Sequence, residues 1–173
     1  ILFTKELHNK LENVNVSPFT FFYISKLFKI NKLGCEVRMM SQRKEKVRTL
    51  HKQGYNCAQA FLCSYQELLK LDEKELFKLA EGLGRGIAGL EEICCIPILM
   101  AMICSYLETS DGNVDHPKSK LKSYACGKCL AMDFKEQVGS LCCHKLLKEN
   151  KEKKRSCSDL LEKGVAILDE CLK

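Results

Sequence analysis

Tryptophan is absent from this chain of 173 residues, and proline (3) and glycine (10) are sparse. A turn-rich β-sandwich draws heavily on the last two, so that class is set aside. Long apolar runs are also missing. The longest starts at Ile93, is interrupted by Ser105 and ends at Leu107, short of the roughly 20 residues that span a bilayer. The apolar stretch from Pro18 to Ser25 is too short for a signal core, is closed by Lys26 and is followed by no small-residue cleavage site. An excess of one charge is lacking too. The net charge is +6, and half of it falls in residues 1–39, leaving an unremarkable +3 for the rest. The densest basic patch, residues 145–155, interleaves its lysines with Glu149 and Glu152 and holds no aromatic ring on which a base could stack. Neither a nucleic-acid nor a membrane partner is expected. With 46% hydrophobic and 29% charged residues, the chain is not disordered either.

What the chain has in excess is cysteine, 12 residues. That exceeds any packing need, so sulfur chemistry is the first functional question. Without an export signal the chain reads as cytoplasmic, where thiols stay reduced and clustered cysteines point to metal or redox chemistry rather than a disulfide framework.

Composition changes near residue 40. Five of the eight Phe lie in the first 28 residues, and Ile, Asn, Lys, Phe and Tyr, whose codons are AT-rich, make up 18 of the first 38. The chain begins with Ile1, while Met39 and Met40 stand at the break. One coding of Glu36-Val37 contains a ribosome-binding sequence just upstream of them. Residues 1–38 are therefore expected to be an upstream extension, the alternative being a natural amino-terminal arm; the intact mass of the natively produced protein decides. Residues 40–173 are the expected domain.

From Met40 onward the periodicity is helical. The spacing predicts a helix over 41–52 closed by Gly54, and one capped by Asn56 and reaching Leu69. Another starts at Asp72-x-x-Glu75, with Leu76, Leu79 and Ala80 inward. A glycine-rich loop, residues 82–89, comes next. Residues 91–107 are apolar on every side and should be the central buried helix, with Pro97 kinking it or marking its true first turn. A long helix from Pro117 to Gln137 stops at Gly139, and short helices follow around 141–149 and 156–172. No segment alternates like a strand. The expected fold is all-α, a compact bundle of about six helices.

Among the sulfurs, Cys126-Gly-Lys-Cys129 has the strongest local spacing, since residues three apart share a helix face and can bind one metal or form a redox dithiol. Cys94-Cys95 and Cys142-Cys143 are adjacent pairs. No CxxCH occurs, so covalent c-type haem is excluded, and no βαβ pattern supports a thioredoxin. Cys63 and Cys104 read as core fillers, Cys35 falls in the extension, and Cys171 sits at an incidental chain end. His144 reads as a partly exposed helix residue or as a ligand. The glycine loop follows a helix and lacks the Lys-Ser/Thr of a P-loop, so close packing beside cysteines explains it better than phosphate binding.

The ordered pieces Gly54-Tyr-Asn-Cys57-Ala-Gln-Ala60, the glycine loop, Glu92-Ile-Cys94, Gly139-Ser-Leu-Cys-Cys143-His-Lys-Leu-Leu147, and Cys157 before Val165-Ala-Ile-Leu168 resemble the C-GCAxxG-C-C family. Its members are small helical bacterial and archaeal proteins described as redox-active, with four characteristic cysteines. The resemblance covers roughly residues 45–172 and implies Cys57, Cys94, Cys143 and Cys157 as the family positions. The middle departs from the pattern: Cys94-Cys-Ile-Pro-Ile-Leu99 stands where the family has Cys-Gly-Ala-x-x-Gly, and Arg85 and Ala88 replace expected glycines.

Each of these four cysteines sits near a predicted helix end, and near a helix amino terminus the dipole lowers a thiol pKa and so favours the nucleophilic, metal-binding thiolate. Two functions remain open. One is a thiol-based redox protein with an unidentified redox partner protein, its cysteines either cycling as thiols or holding zinc or an iron–sulfur cluster. The other is a helical binding module with structural cysteines; a homodimer suits either. The expected arrangement is one main site of Cys57, Cys94, Cys143 and Cys157, with Cys95 or Cys142 as stand-ins. Cys126 and Cys129 should form a separate, weaker pair.

Overall fold

Helix starts follow the capping residues closely in the computed structural model, which describes residues 42–173. The 1–38 segment, the boundary at Met39-Met40 and Cys35 lie outside the described residues. The helices are α1 (42–52), α2 (Cys57–Ser64), α3 (Gln66–Leu69), α4 (Glu73–Glu81), α5 (Cys95–Cys104), α6 (Lys120–Val138), α7 (Cys143–Glu152) and α8 (Cys157–Cys171), with a π-helical segment, Ser105–Thr109, continuing α5. Among the described residues there is no strand, only an isolated antiparallel bridge between Ile93 and Cys142. The all-α expectation holds. The helices are more numerous than about six because the segment 57–69 breaks at Tyr65 and the carboxyl-terminal half of the chain divides as its sequence suggested.

Asn56 pins the start of α2. Its side-chain oxygen accepts from the N–H groups of Ala58 and Gln59, both at 2.9 Å, and Gln59 Oε1 accepts in return from Asn56 N at 3.0 Å. Two of the donors that a helix start leaves without partners are thereby satisfied. Asn56 Nδ2 also donates to Glu81 O at 2.9 Å, which ties this cap to the far end of α4. Asp72 caps α4 in the same manner, accepting from Lys74 N at 2.9 Å and Glu75 N at 3.3 Å.

Several sequence expectations are corrected. The central helix begins at Cys95, not at Glu91, because Glu91 adopts a left-handed φ of 58° and the next residues bond sideways to another segment. Pro97 lies in its first turn, where its missing N–H costs nothing. The carboxyl end widens into a π turn, with Ser110 N donating to Ser105 O at 2.9 Å. Helix α6 starts at Lys120, three residues beyond Pro117, and Gly139 ends it at φ 94°. Leu79 points outward, 67% exposed, while Leu76 and Ala80 are buried, because α4 offers only a narrow face to α2.

Helix α5 is the centre. It packs on α2, α6 and α8, and Ile96, Leu99, Met100 and Ile103 are each no more than 1% exposed. Its burial is not uniform, for Met102 is 46% exposed. Tyr65 anchors the other end of the core. It is fully buried, its hydroxyl donates to Asp169 Oδ1 at 3.0 Å, and the Arg43 guanidinium lies 4.6 Å over its ring while also pairing with Asp169. That triad joins α1 and α8 through a residue at the end of α2.

The crossing of α8 over this core depends on Gly164. A Cβ there would stand 2.3 Å from Ile96 Cγ2 and 2.9 Å from Phe61 Cε2. Gly164→Ala gains about 1 kcal/mol of helix propensity but overpacks a close crossing at a cost of about 3 kcal/mol, so a net loss of about 2 kcal/mol is expected. The check is a lower urea midpoint at unchanged slope; a variant as stable as the parent would contradict it.

Candidate functional site

Helix-start logic delivers thiols to one place. Cys57 is the first residue of α2, Cys94 the cap of α5 and Cys95 its first residue, while Cys143 and Cys157 are the first residues of α7 and α8. All five line a half-open cavity of about 550 Å³, together with His51, Arg85 and apolar side chains including Ile96, Leu146 and Leu160. The four positions expected from the resemblance and Cys95 thus line one cavity together. The amino ends of four helices supply partial positive charge to that cavity.

Two local devices align the sulfurs. Across the Ile93–Cys142 bridge, Cys94 N donates to Leu141 O and Cys143 N to Glu92 O, each at 2.8 Å. This sets the two adjacent-cysteine pairs side by side. The loop 82–89 then closes over them with Arg85, Gly86, Ile87, Ala88 and Gly89 all at positive φ. Gly86 fits there because it has no Cβ, since one would stand 2.6 Å from Cys143 Cβ. Arg85 and Ala88, where glycines were expected, still adopt the left-handed form. The loop is held by Arg85 Nε to Glu91 Oε1 at 2.8 Å, and Glu91 Oε2 meets His144 Nδ1 at 3.0 Å. Those two partners, His144 first, hold the Glu91 carboxyl below its ordinary pKa.

Cys57 and Cys95 are in direct contact. The Cys95 thiol donates to Cys57 Sγ at 3.4 Å, and Arg85 N donates to the same sulfur at 3.4 Å. The Cys95 hydrogen bond is the main reason that the Cys57 pKa falls to about 6; burial opposes it and backbone N–H groups of Arg85, Ala58 and Cys57 itself assist. Cys94 is also lowered, again chiefly by Cys95. Cys95 is raised correspondingly, because its proton is held by hydrogen bonds to the sulfurs of Cys57 and Cys94 and because the site is buried. Burial, then the charges at Cys94, Cys157 and Cys57, push Cys143 up to about 12. Burial and the charges at Cys57 and Cys94 push Cys157 up to about 11. Near neutral pH the cavity therefore holds Cys57 mainly as a thiolate, beside Cys95, Cys143 and Cys157 as protonated thiols. Cys57 is half-buried and reachable, whereas Cys94, Cys95 and Cys143 are buried.

A single tetrahedral zinc ion, with bonds of about 2.3 Å, needs its sulfurs about 3.8 Å apart. Among the described residues no three sulfurs of this cavity lie mutually within 4.8 Å, so the arrangement does not fit one bare ion.

The other expectations fare differently. Cys142 does not line the cavity, and its sulfur faces Glu91 O at 3.9 Å, because the bridge turns its side chain away from that of Cys143. Cys126 does not pair with Cys129; it is bonded to Cys104 on α5, since α6 packs directly on α5. Cys104 is for that reason more than a core filler, and Cys171 is not incidental, its sulfur lying 4.0 Å from that of Cys126. Cys63 is fully buried in the core as expected. His144 is 70% exposed and serves Glu91.

His51 was missed. It lines the cavity, bonds Ser158 Oγ at 2.9 Å through Nδ1, and burial lowers its pKa. Its position four residues after the buried Val47 was the signal that could have found it.

A family model described as "Putative redox-active protein (C_GCAxxG_C_C)" matches residues 55–171. No curated protein and no solved structure matches the chain.

Proposed function

This chain belongs to the C_GCAxxG_C_C family, and from that membership together with the sulfur geometry we propose that it is a thiol–disulfide redox protein reacting through Cys57 and Cys95. The observation that carries the reading is the 3.4 Å contact between a half-buried sulfur of low pKa and a buried protonated one.

The Cys57 thiolate attacks one sulfur of a disulfide R–S–S–R′. A Cys57–S–S–R bond forms and R′S⁻ leaves. Consumption of the Cys57 charge removes the main cause that held the proton on Cys95. Cys95 then releases that proton and attacks Cys57 Sγ, closing a Cys57–Cys95 disulfide and expelling RS⁻. The protein sulfurs lose two electrons and the substrate gains them. Of the two protons that convert the leaving thiolates to thiols, one comes from Cys95 and the other is the one Cys57 had already given to solvent. The apolar walls suit a small organic disulfide or a partner protein's cystine. His51, kept neutral by burial, is a proton acceptor on the wall.

Exposure of the reduced protein to a small disulfide, followed by peptide mapping, should show a mixed disulfide on Cys57 and then Cys57–Cys95 as the first disulfide within the protein. An anaerobically purified protein that is coloured, carries iron and sulfide and leaves Cys57 unoxidised would overturn this in favour of a cluster held by Cys57, Cys94, Cys143 and Cys157.

A further inference from the structure

A second group of sulfurs gathers away from the family positions. Cys104 ends α5, Cys126 and Cys129 lie three apart on α6, and Cys171 ends α8. The sulfurs of Cys104, Cys126 and Cys171 all lie within 4.8 Å of one another, and among the described residues no other three ligating groups do. Cys126, Cys129 and Cys171 also line a cavity of about 630 Å³ that contains Asp133 and Glu170.

We infer that Cys104, Cys126, Cys129 and Cys171 form a thiolate site for one soft divalent ion of the zinc type, filled only when the Cys104–Cys126 disulfide is reduced.

A disulfide needs two sulfurs, yet this place has four. The 4.0 Å between Cys126 and Cys171 is already close to the ~3.8 Å edge of a zinc–thiolate tetrahedron. Cys129, one helical turn beyond Cys126, lines the same cavity; its sulfur stands outside the group within 4.8 Å and turns in as the fourth ligand when the ion enters. Asp133 and Glu170, which share the cavity with Cys126, Cys129 and Cys171, would repel any thiolate that forms without a cation. Sulfur donors select zinc-type ions over magnesium or calcium.

The Cys104–Cys126 bond makes occupancy conditional. A dithiol reductant opens it by passing two electrons and two protons to the protein sulfurs while closing its own disulfide. The entering ion then displaces the four thiol protons to solvent. In the oxidised chain two of the four ligands are withdrawn, and the ion has no site.

The test uses the full chain with zinc as the probe. Protein reduced under anaerobic conditions is alkylated with and without one equivalent of zinc, and modification is mapped by peptide. Cys129 and Cys171 are exposed, so they should alkylate readily without zinc and at least about tenfold more slowly with it, since a coordinated thiolate is no longer a free nucleophile. Protein kept oxidised at Cys104–Cys126 should show no such protection. Cys171→Ser, at an exposed helix end, should weaken the thiolate-to-cobalt absorption of the cobalt-substituted protein. Equal alkylation with and without zinc, or protection confined to Cys57, Cys94, Cys143 and Cys157, would overturn the inference.

Discussion

Cys57→Ser is expected to abolish disulfide reduction, lowering the rate by about a thousandfold or more, because no other reachable sulfur of the cavity is a thiolate at neutral pH. The parent protein should show the sign of this directly. A thiol with its pKa lowered to about 6 is mostly thiolate at pH 7, and its alkylation rate should fall only as the pH drops through that value. Cys95 is the largest cause of the lowering, so Cys95→Ala should move the inflection of Cys57 upward toward the ordinary thiol range. At pH 7 the alkylation rate should then drop on the order of tenfold, as the thiolate fraction shrinks. The measurement is the pH profile of iodoacetamide labelling at Cys57. An inflection that stays near pH 6 in Cys95→Ala would remove Cys95 from the mechanism, even if the variant were otherwise inactive.

Gly86→Ala should be the most damaging single methyl in the described chain. The added Cβ would meet Cys143 Cβ at 2.6 Å and backbone atoms of Glu91 at 2.8 and 2.9 Å, and φ there is +69°. Backbone atoms cannot step aside as a flexible side chain can. The left-handed conformation adds about 1–2 kcal/mol and the overpacking about 1–3 kcal/mol, so a loss near 4 kcal/mol is expected. Gly89→Ala is the control. Its φ is +84° but nothing lies within 4 Å of the new Cβ, so only the conformational part, about 1–2 kcal/mol, should appear. Chemical denaturation of the two variants separates the effects. Equal losses at Gly86 and Gly89 would mean that the contact with Cys143 does not matter.

The sequence by itself determined the helices and most of their beginnings, because capping is a conversation among residues two or three apart. Asn56 with Gln59 and Asp72 with its following N–H groups needed nothing distant to act. Cys57 and Cys157 could for that reason be placed at helix starts before any packing was known. The apolar composition of residues 95–104 likewise marked the central helix, since a segment without a polar face has nowhere to go but inside.

Tertiary structure alone decided which sulfurs meet. The start of α5 moved to Cys95 because residues 91–94 bond to 141–144, a one-residue bridge too short to leave any alternating pattern in the sequence. That bridge admits Cys143 to the cavity and turns Cys142 out. Cys126 bonds to Cys104 rather than sharing a site with Cys129 alone, because the faces of α5 and α6 are pressed together by their apolar residues and local CxxC spacing carries no information about what lies opposite. The pKa order has the same origin. Whether a cysteine is a thiolate or a thiol depends on a proton donor a few ångströms away in space, and for Cys57 that donor, Cys95, is 38 residues along the chain.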